Sequence, residues 1–440
     1  MSSRENSIIK VLKGIIIFLV GFLVGLAALT MVSNLVSKSE TEKNQNLTTT
    51  ASLNENTEAP SELVEDNTEA QPVTEAENQE EEKPDEKEEA QTEESTGGDD
   101  IDAIIAGMSL HEKVCQMFIV TPEGLTGYSV VTEFGDSSKA ALDSYPVGGI
   151  VYFSQNLESQ DQTRTMLTST QEYASSKKNI PIFLCVDEEG GKVARCADKL
   201  GVTKLNNMFT YKDQGNDAAF QNAATIGSYL KDLGFNVDFA PVADTWSNPS
   251  NTVIGQRAYS DDFNETAQLI PSAVQGFHSA GIKCSLKHFP GHGDTATDSH
   301  AGTATTSKTM DQLEKEEFLA FQSGISAGAD MVMVGHITVT SVTNEPASIS
   351  SAIVNDELRG KLGYDGLVVT DALNMGAVSG LYDSGALAVK CVKAGDDLLL
   401  MPSDFKSAVA GVESAVESGD IPEERINESV RRILKVKLNK

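Results

Sequence analysis

From Ile101 to the C-terminus, short apolar runs alternate with longer stretches in which apolar residues recur every three or four positions. The runs are 115–120, 149–153, 180–186, 237–241, 282–288, 331–336, 366–370 and 397–401, and each reads as a strand. The stretches between them read as amphipathic helices, among them 216–233, 263–280, 309–327, 351–362 and 403–418. A last helix, 422–437, closes the pattern. Strands alternating with helices predict an α/β fold of parallel strands and crossover helices. Eight such units favour a (β/α)8 TIM-type barrel over an open doubly wound sheet. There is no internal repeat, and residues 101–440 read as a single domain.

The first hundred residues follow different rules. Residues 14–36 carry no charged side chain, and a bilayer core takes roughly 20 apolar residues to cross. Arg4, Lys10 and Lys13 precede the run, so residues 1–13 are expected on the cytoplasmic side and everything after the span outside the cell. The expectation is an uncleaved signal anchor in the cell membrane. The rival is a cleaved signal peptide that releases the protein, for which Gly25-Leu26-Ala27-Ala28 supplies small residues. Residues 37–100 are rich in Glu, Thr, Asn and Gln and cannot bury enough apolar surface to offset their ordering entropy. They predict a disordered acidic linker spanning roughly 45 Å as a random coil.

Charge and cysteine usage narrow the function. The chain's formal charge is −31, and residues 38–100 hold 21 Asp or Glu against 4 Lys or Arg. The barrel region stays acidic as well, which disfavours nucleic acid and anionic lipid as partners. The five cysteines, Cys115, Cys185, Cys196, Cys284 and Cys391, include no CxxC pair. That argues against a disulfide framework or a zinc ribbon. Cys115, Cys185 and Cys284 lie in strand-like runs and are expected as buried free thiols.

In a barrel of this kind the chemistry sits just beyond the C-terminal ends of the strands. After 180–186 comes Asp187-Glu188-Glu189-Gly190-Gly191, where Asp187 can take two adjacent hydroxyls or simply cap a helix. Farther on, Arg257 follows Gly255-Gln256 and can fork onto a ligand oxygen or form a surface ion pair. The densest segment is 287–300, which holds His288, His292 and His300, three of the chain's six histidines. Three readings are open there: a metal site, a structural cluster, or an acid–base loop in which Asp298 orients the imidazole of His300. After 366–370 stands Asp371, placed either as a nucleophile in the barrel mouth or as a helix cap.

Together the stretches VDEEGGKVAR, IGQRAY, KHFPGHGDTATDSH and VVTDALNMGA resemble glycoside hydrolase family 3 in its β-N-acetylglucosaminidase branch. They occur in the family's order and span essentially all of 101–440. The resemblance implies a retaining exo-β-N-acetylglucosaminidase (β-N-acetylhexosaminidase). Asp371 is then the nucleophile, His300 the acid–base and Asp298 its orienting partner. Asp187, Arg195, Arg257, Lys287 and His288 hold the terminal sugar. The resemblance implies no metal and no cofactor. Two departures, Glu188 for the family's Gln and Lys192 for its Arg, are expected to lie off the catalytic set. The second α/β domain of many relatives is not expected here, which sets the β-glucosidases apart as models.

The expected substrate is a glycan with terminal β-linked N-acetylglucosamine, such as a cell-wall muropeptide. The catalytic domain is expected to be monomeric, with the membrane reached only through residues 14–36. The alternatives are a same-fold phosphorylase or β-glucosidase, a metal-dependent barrel hydrolase built on His288, His292 and His300, and a non-catalytic glycan-binding protein.

Overall fold

A computed structural model describes residues 96–295 and 304–440, with side chains from Asp100 onward. The expected span at 14–36 and nearly all of the linker lie outside the described residues. Among those described, no helix is long and apolar enough to cross a membrane.

Eight parallel strands make the core sheet: β1 (Phe118–Val120), β2 (Gly149–Val151), β3 (Phe183–Val186), β4 (Val237–Asp238), β5 (Lys283–Phe289), β6 (Met331–Val334), β7 (Leu367–Thr370) and β8 (Leu399–Leu400). Each strand pairs with its neighbour in sequence, and β1 also pairs with β8. Between β7 and β8 the ladder shrinks to a bridge at Val369 and Leu398. Thr370 N–H donates to the Leu398 carbonyl (2.9 Å), and Leu398 N–H donates to the Val368 carbonyl (3.0 Å). The sheet is thereby a nearly closed barrel, as the alternating pattern predicts.

Apart from β5, the strands are shorter than the apolar runs because several runs continue into buried loops. One run changes class: Cys115 lies in the last turn of the helix Leu110–Gln116, and the strand begins only at Phe118. Ser109 caps that helix in a capping box with Glu112, which commits the chain to helical turns before the strand. The expected helix 309–327 is broken at Glu316, whose φ of −126° and ψ of −92° separate Met310–Lys315 from Glu317–Ser326. The segment Ala352–Lys361 winds with wider π-type turns. All five cysteines are buried free thiols.

Outer helices pack closely where the sequence supplies glycine. A Cβ at Gly276 would sit 2.4 Å from the Phe220 carbonyl oxygen. The helices Gly215–Leu233 and Phe263–Ser279 therefore meet backbone to backbone. The helix Thr96–Ala106 begins within the last residues of the expected linker, 37–100. Its Ile101 and Ile105 are buried, and Asp102 pairs with Arg431 on the final helix Glu423–Leu438 (2.9 Å).

Candidate active site

A cavity of about 460 Å³ opens at the C-terminal ends of the strands. Its lining includes Asp187, Arg195, Arg257, Lys287, His288 and Asp371, six of the eight residues expected from the sequence. The other two, Asp298 and His300, lie outside the described residues.

The fold explains this convergence. Asp187 and Asp371 each follow directly on a strand, β3 and β7. Arg195 follows a short antiparallel hairpin of Glu188–Gly190 with Val193–Ala194, and its guanidinium lies 5.6 Å from the centre of the Phe153 ring. Lys287 and His288 are consecutive, and in a regular strand they would face opposite sides. The pairing of β5 with β6 shifts register between Lys287 and Phe289, and both side chains line the cavity.

Glu189 organises the cationic side of the cavity, although the sequence reading did not select it. Its two carboxylate oxygens each accept from Arg257, from Nε and Nη2 at 2.8 Å. One of them also meets Lys287 Nζ at 2.7 Å. Lys287 reaches Asp187 at the same distance, 2.7 Å. Two carboxylates and two cations thus balance in a buried cluster. Burial opposes ionisation of Glu189, but Arg257 and Lys287 outweigh it and hold the carboxyl below its ordinary range. Burial likewise opposes the Lys287 charge, and Asp187 and Glu189 overcome it. Alternation along the hairpin could have revealed Glu189. It lies two residues from Asp187 and so shares its side, while Glu188 points away.

Glu188 is buried outside the cavity lining and ties down the following turn. Its carboxylate accepts from the Cys196 and Ala197 N–H groups (2.7 and 3.0 Å) and from Tyr229 (2.8 Å). Lys192 lines the cavity together with Asp187, Arg195 and Arg257.

A second buried acid, Asp244, holds the histidines. One oxygen accepts from the His288 backbone N–H (3.0 Å) and lies 2.7 Å from His288 Nδ1. The other accepts from the His292 N–H (2.6 Å). His292 Nδ1 lies 2.7 Å from Thr295 Oγ1, so this histidine too is oriented by a protein partner. Asp244 stands after an apolar run, and that position was its only sequence signal.

The same loops hold residues 292–295 in place. Asn251 donates to the His292 carbonyl (2.7 Å) and Asn248 to that of Asp294 (3.0 Å). Gly293 runs so close to Thr245 that a Cβ would sit 1.7 Å from its carbonyl oxygen. On the return side, Thr306 donates to Asp294 Oδ2 (2.9 Å). Asp294 and Thr306 are therefore tied to each other, and His292 beside them lines the cavity.

Asp371 accepts the N–H of Ala372 (2.7 Å). Burial works to raise its carboxyl. His336 and His288, that N–H and Lys287 prevail, and the group is held below its ordinary value. The result is an ionised carboxylate in the barrel mouth, in the same cavity lining as the charge-balanced cluster.

A family model, "Glycosyl hydrolase family 3 N terminal domain", matches residues 109–436. The chain belongs to this family. Beta-hexosaminidase A of Pseudoalteromonas piscicida is 34% identical over 322 residues, covering 67% of this chain and 54% of that protein. A beta-hexosaminidase of Xylella fastidiosa is 34% identical over 280 residues, covering 61% of this chain and 82% of its own length. Among solved structures, the family 3 β-N-acetylglucosaminidase from Paenibacillus sp. str. FPU-7 superposes with a TM-score of 0.71 at 38% identity. That match covers 75% of this chain and 62% of the other. The chain thus spans little more than half of the first relative's length and under two thirds of this structure's.

Proposed function

We propose that this family 3 protein is a retaining exo-β-N-acetylglucosaminidase. The observation that carries the reading is the meeting of an ionised Asp371 with the Asp187–Lys287–Glu189–Arg257 cluster in one cavity at the strand ends. Its volume, about 460 Å³, suits a small ligand. Asp187 and Lys287, with Arg195, Arg257 and His288, take the hydroxyls and amide of one terminal sugar. Asp371 attacks the anomeric carbon, the glycosidic C–O bond breaks, and a glycosyl-Asp371 ester forms. His300, oriented by Asp298, gives its proton to the leaving oxygen. The imidazole then takes a proton from the incoming water, which cleaves the ester and restores the carboxylate. An imidazole suits both steps because its pKa lies near neutrality.

The relatives' beta-hexosaminidase names support the choice of an N-acetylated sugar. Residues 14–36 anchor the protein in the cell membrane with the barrel outside, and the natural substrates are cell-wall muropeptides or similar glycans. The apolar run and the charges before it support that placement.

The test is hydrolysis of p-nitrophenyl β-N-acetylglucosaminide by the full chain, with and without EDTA and inorganic phosphate. Cleavage with retention, insensitive to both additions and lost in Asp371→Ala and His300→Ala, is the expected result. An inert wild type, or activity abolished by EDTA, would overturn the reading.

A further inference from the structure

At the opposite end of the barrel, three metal-ligating side chains converge on one point. His278 lies near the end of the helix Phe263–Ser279, Cys284 near the start of β5, and Asp330 just before β6. Their ligand atoms all lie within 4.8 Å of one another, a grouping found nowhere else among the described residues. His278 Nε2 is 2.8 Å from Asp330 Oδ2 and 3.8 Å from Cys284 Sγ. We propose that His278, Cys284 and Asp330 bind a zinc-class divalent cation that fastens this helix to the base of the barrel.

Geometry and ligand chemistry agree. Zn–N, Zn–O and Zn–S bonds at tetrahedral angles place ligand atoms roughly 3.4–3.6 Å apart. These two separations bracket that value and the third pair lies within 4.8 Å, so shifts on the order of an ångström complete the site. A thiolate with an imidazole and a carboxylate favours zinc over magnesium or calcium, which take oxygen donors. Asp330 is already held in place, because Oδ2 also accepts the Cys284 N–H (3.0 Å). The His278 side chain is 36% exposed, which gives an ion a path in and leaves room for water as a fourth ligand. Binding displaces the thiol proton, and any proton between His278 and Asp330, to solvent. The nearby Lys283 ammonium opposes a cation, but Asn439 holds it at 2.8 Å.

A His–Asp ion pair alone does not require a thiol on the same nitrogen. The chain contains the contrasting case. Cys115 Sγ lies 3.5 Å from His111 Nε2, but that nitrogen faces the Ser144 carbonyl (2.8 Å). The carboxylate, Glu413, sits on the other nitrogen, at 2.6 Å. Those groups do not converge.

The test is titration of the reduced full chain with Co2+, followed by the near-ultraviolet thiolate-to-cobalt charge-transfer band, which a site without sulfur cannot give. One equivalent is expected to produce the band and Zn2+ to abolish it. Cys284→Ser should remove the band and Cys115→Ser should retain it. His278→Gln, at a part-exposed position that leaves the core intact, should weaken cobalt binding at least about tenfold. Absence of the band in the wild type, its survival in Cys284→Ser, or unchanged affinity in His278→Gln would overturn the proposal.

Discussion

Replacing Glu189 by Gln tests whether the charge cluster builds the site. The cluster holds Asp187 and Glu189 against Arg257 and Lys287, and Glu189 touches both cations. Gln keeps the shape but removes one charge, leaving a net positive charge in a buried setting. It also turns one acceptor into an NH2 that must face a donor of Arg257 or Lys287. Removing one partner of a buried pair costs about 3–5 kcal/mol. For a domain of about 340 residues the unfolding entropy is roughly 0.7 kcal/mol/K, so the melting temperature should fall by about 4–7 °C. Freed from their shared anchor, Lys287 and Arg257 shift, and a displacement near 1 Å costs about 100-fold in kcat/KM. Calorimetry and p-nitrophenyl β-N-acetylglucosaminide kinetics read the two effects separately. A variant that melts within about 1 °C of the wild type and keeps kcat/KM within about twofold would refute the argument.

Three further outcomes are expected. Asp244→Asn should lower kcat/KM by at least about tenfold, because Asp244 Oδ2 faces both the N–H and Nδ1 of His288 and Asn offers only one acceptor; circular dichroism checks that the fold survives. Burial pushes the Glu317 carboxyl up to about 7 despite its Lys308 partner, so the native state binds the extra proton between the unfolded value and pH 7. The Glu317 contribution to stability should therefore fall by about 3 kcal/mol as pH rises through that window, and urea titrations of Glu317→Gln should show a slope shallower by that amount. Burial lowers Lys437 to about 7, so here the unfolded state binds more protons from pH 7 to about 10. The stability of the wild type relative to Lys437→Met should therefore rise with pH across that window, as the difference between their urea midpoints will report; the buried cysteine thiols, held protonated by the fold, lower the stability of both proteins alike above about pH 8.

The barrel was legible because parallel strands buried on both faces leave apolar runs in the sequence, and crossover helices leave a 3.6-residue period. The strand count and most helix positions follow from that patterning. Boundaries were less legible, because a buried loop is as apolar as a strand. Cys115 shows the limit: a buried helix and a strand have similar composition, and only the Ser109 cap distinguishes them. The break at Glu316 also lacks a local signal, since no proline or glycine stands there.

The site divides in the same way. Sequence alone determined which residues carry distinctive chemistry at strand ends, and Asp187, Arg195, Arg257, Lys287, His288 and Asp371 do share one cavity. It could not rank Glu189 or Asp244, because nothing local says which acid faces a cation distant in the chain. Arg257 lies 68 residues from Glu189, and His288 lies 44 from Asp244. Such pairs exist only after the barrel closes and burial makes an unpaired charge too costly to leave. The same holds for His278, Cys284 and Asp330: their spacing resembles no metal motif, and only the meeting of a helix end with two strand starts brings them together.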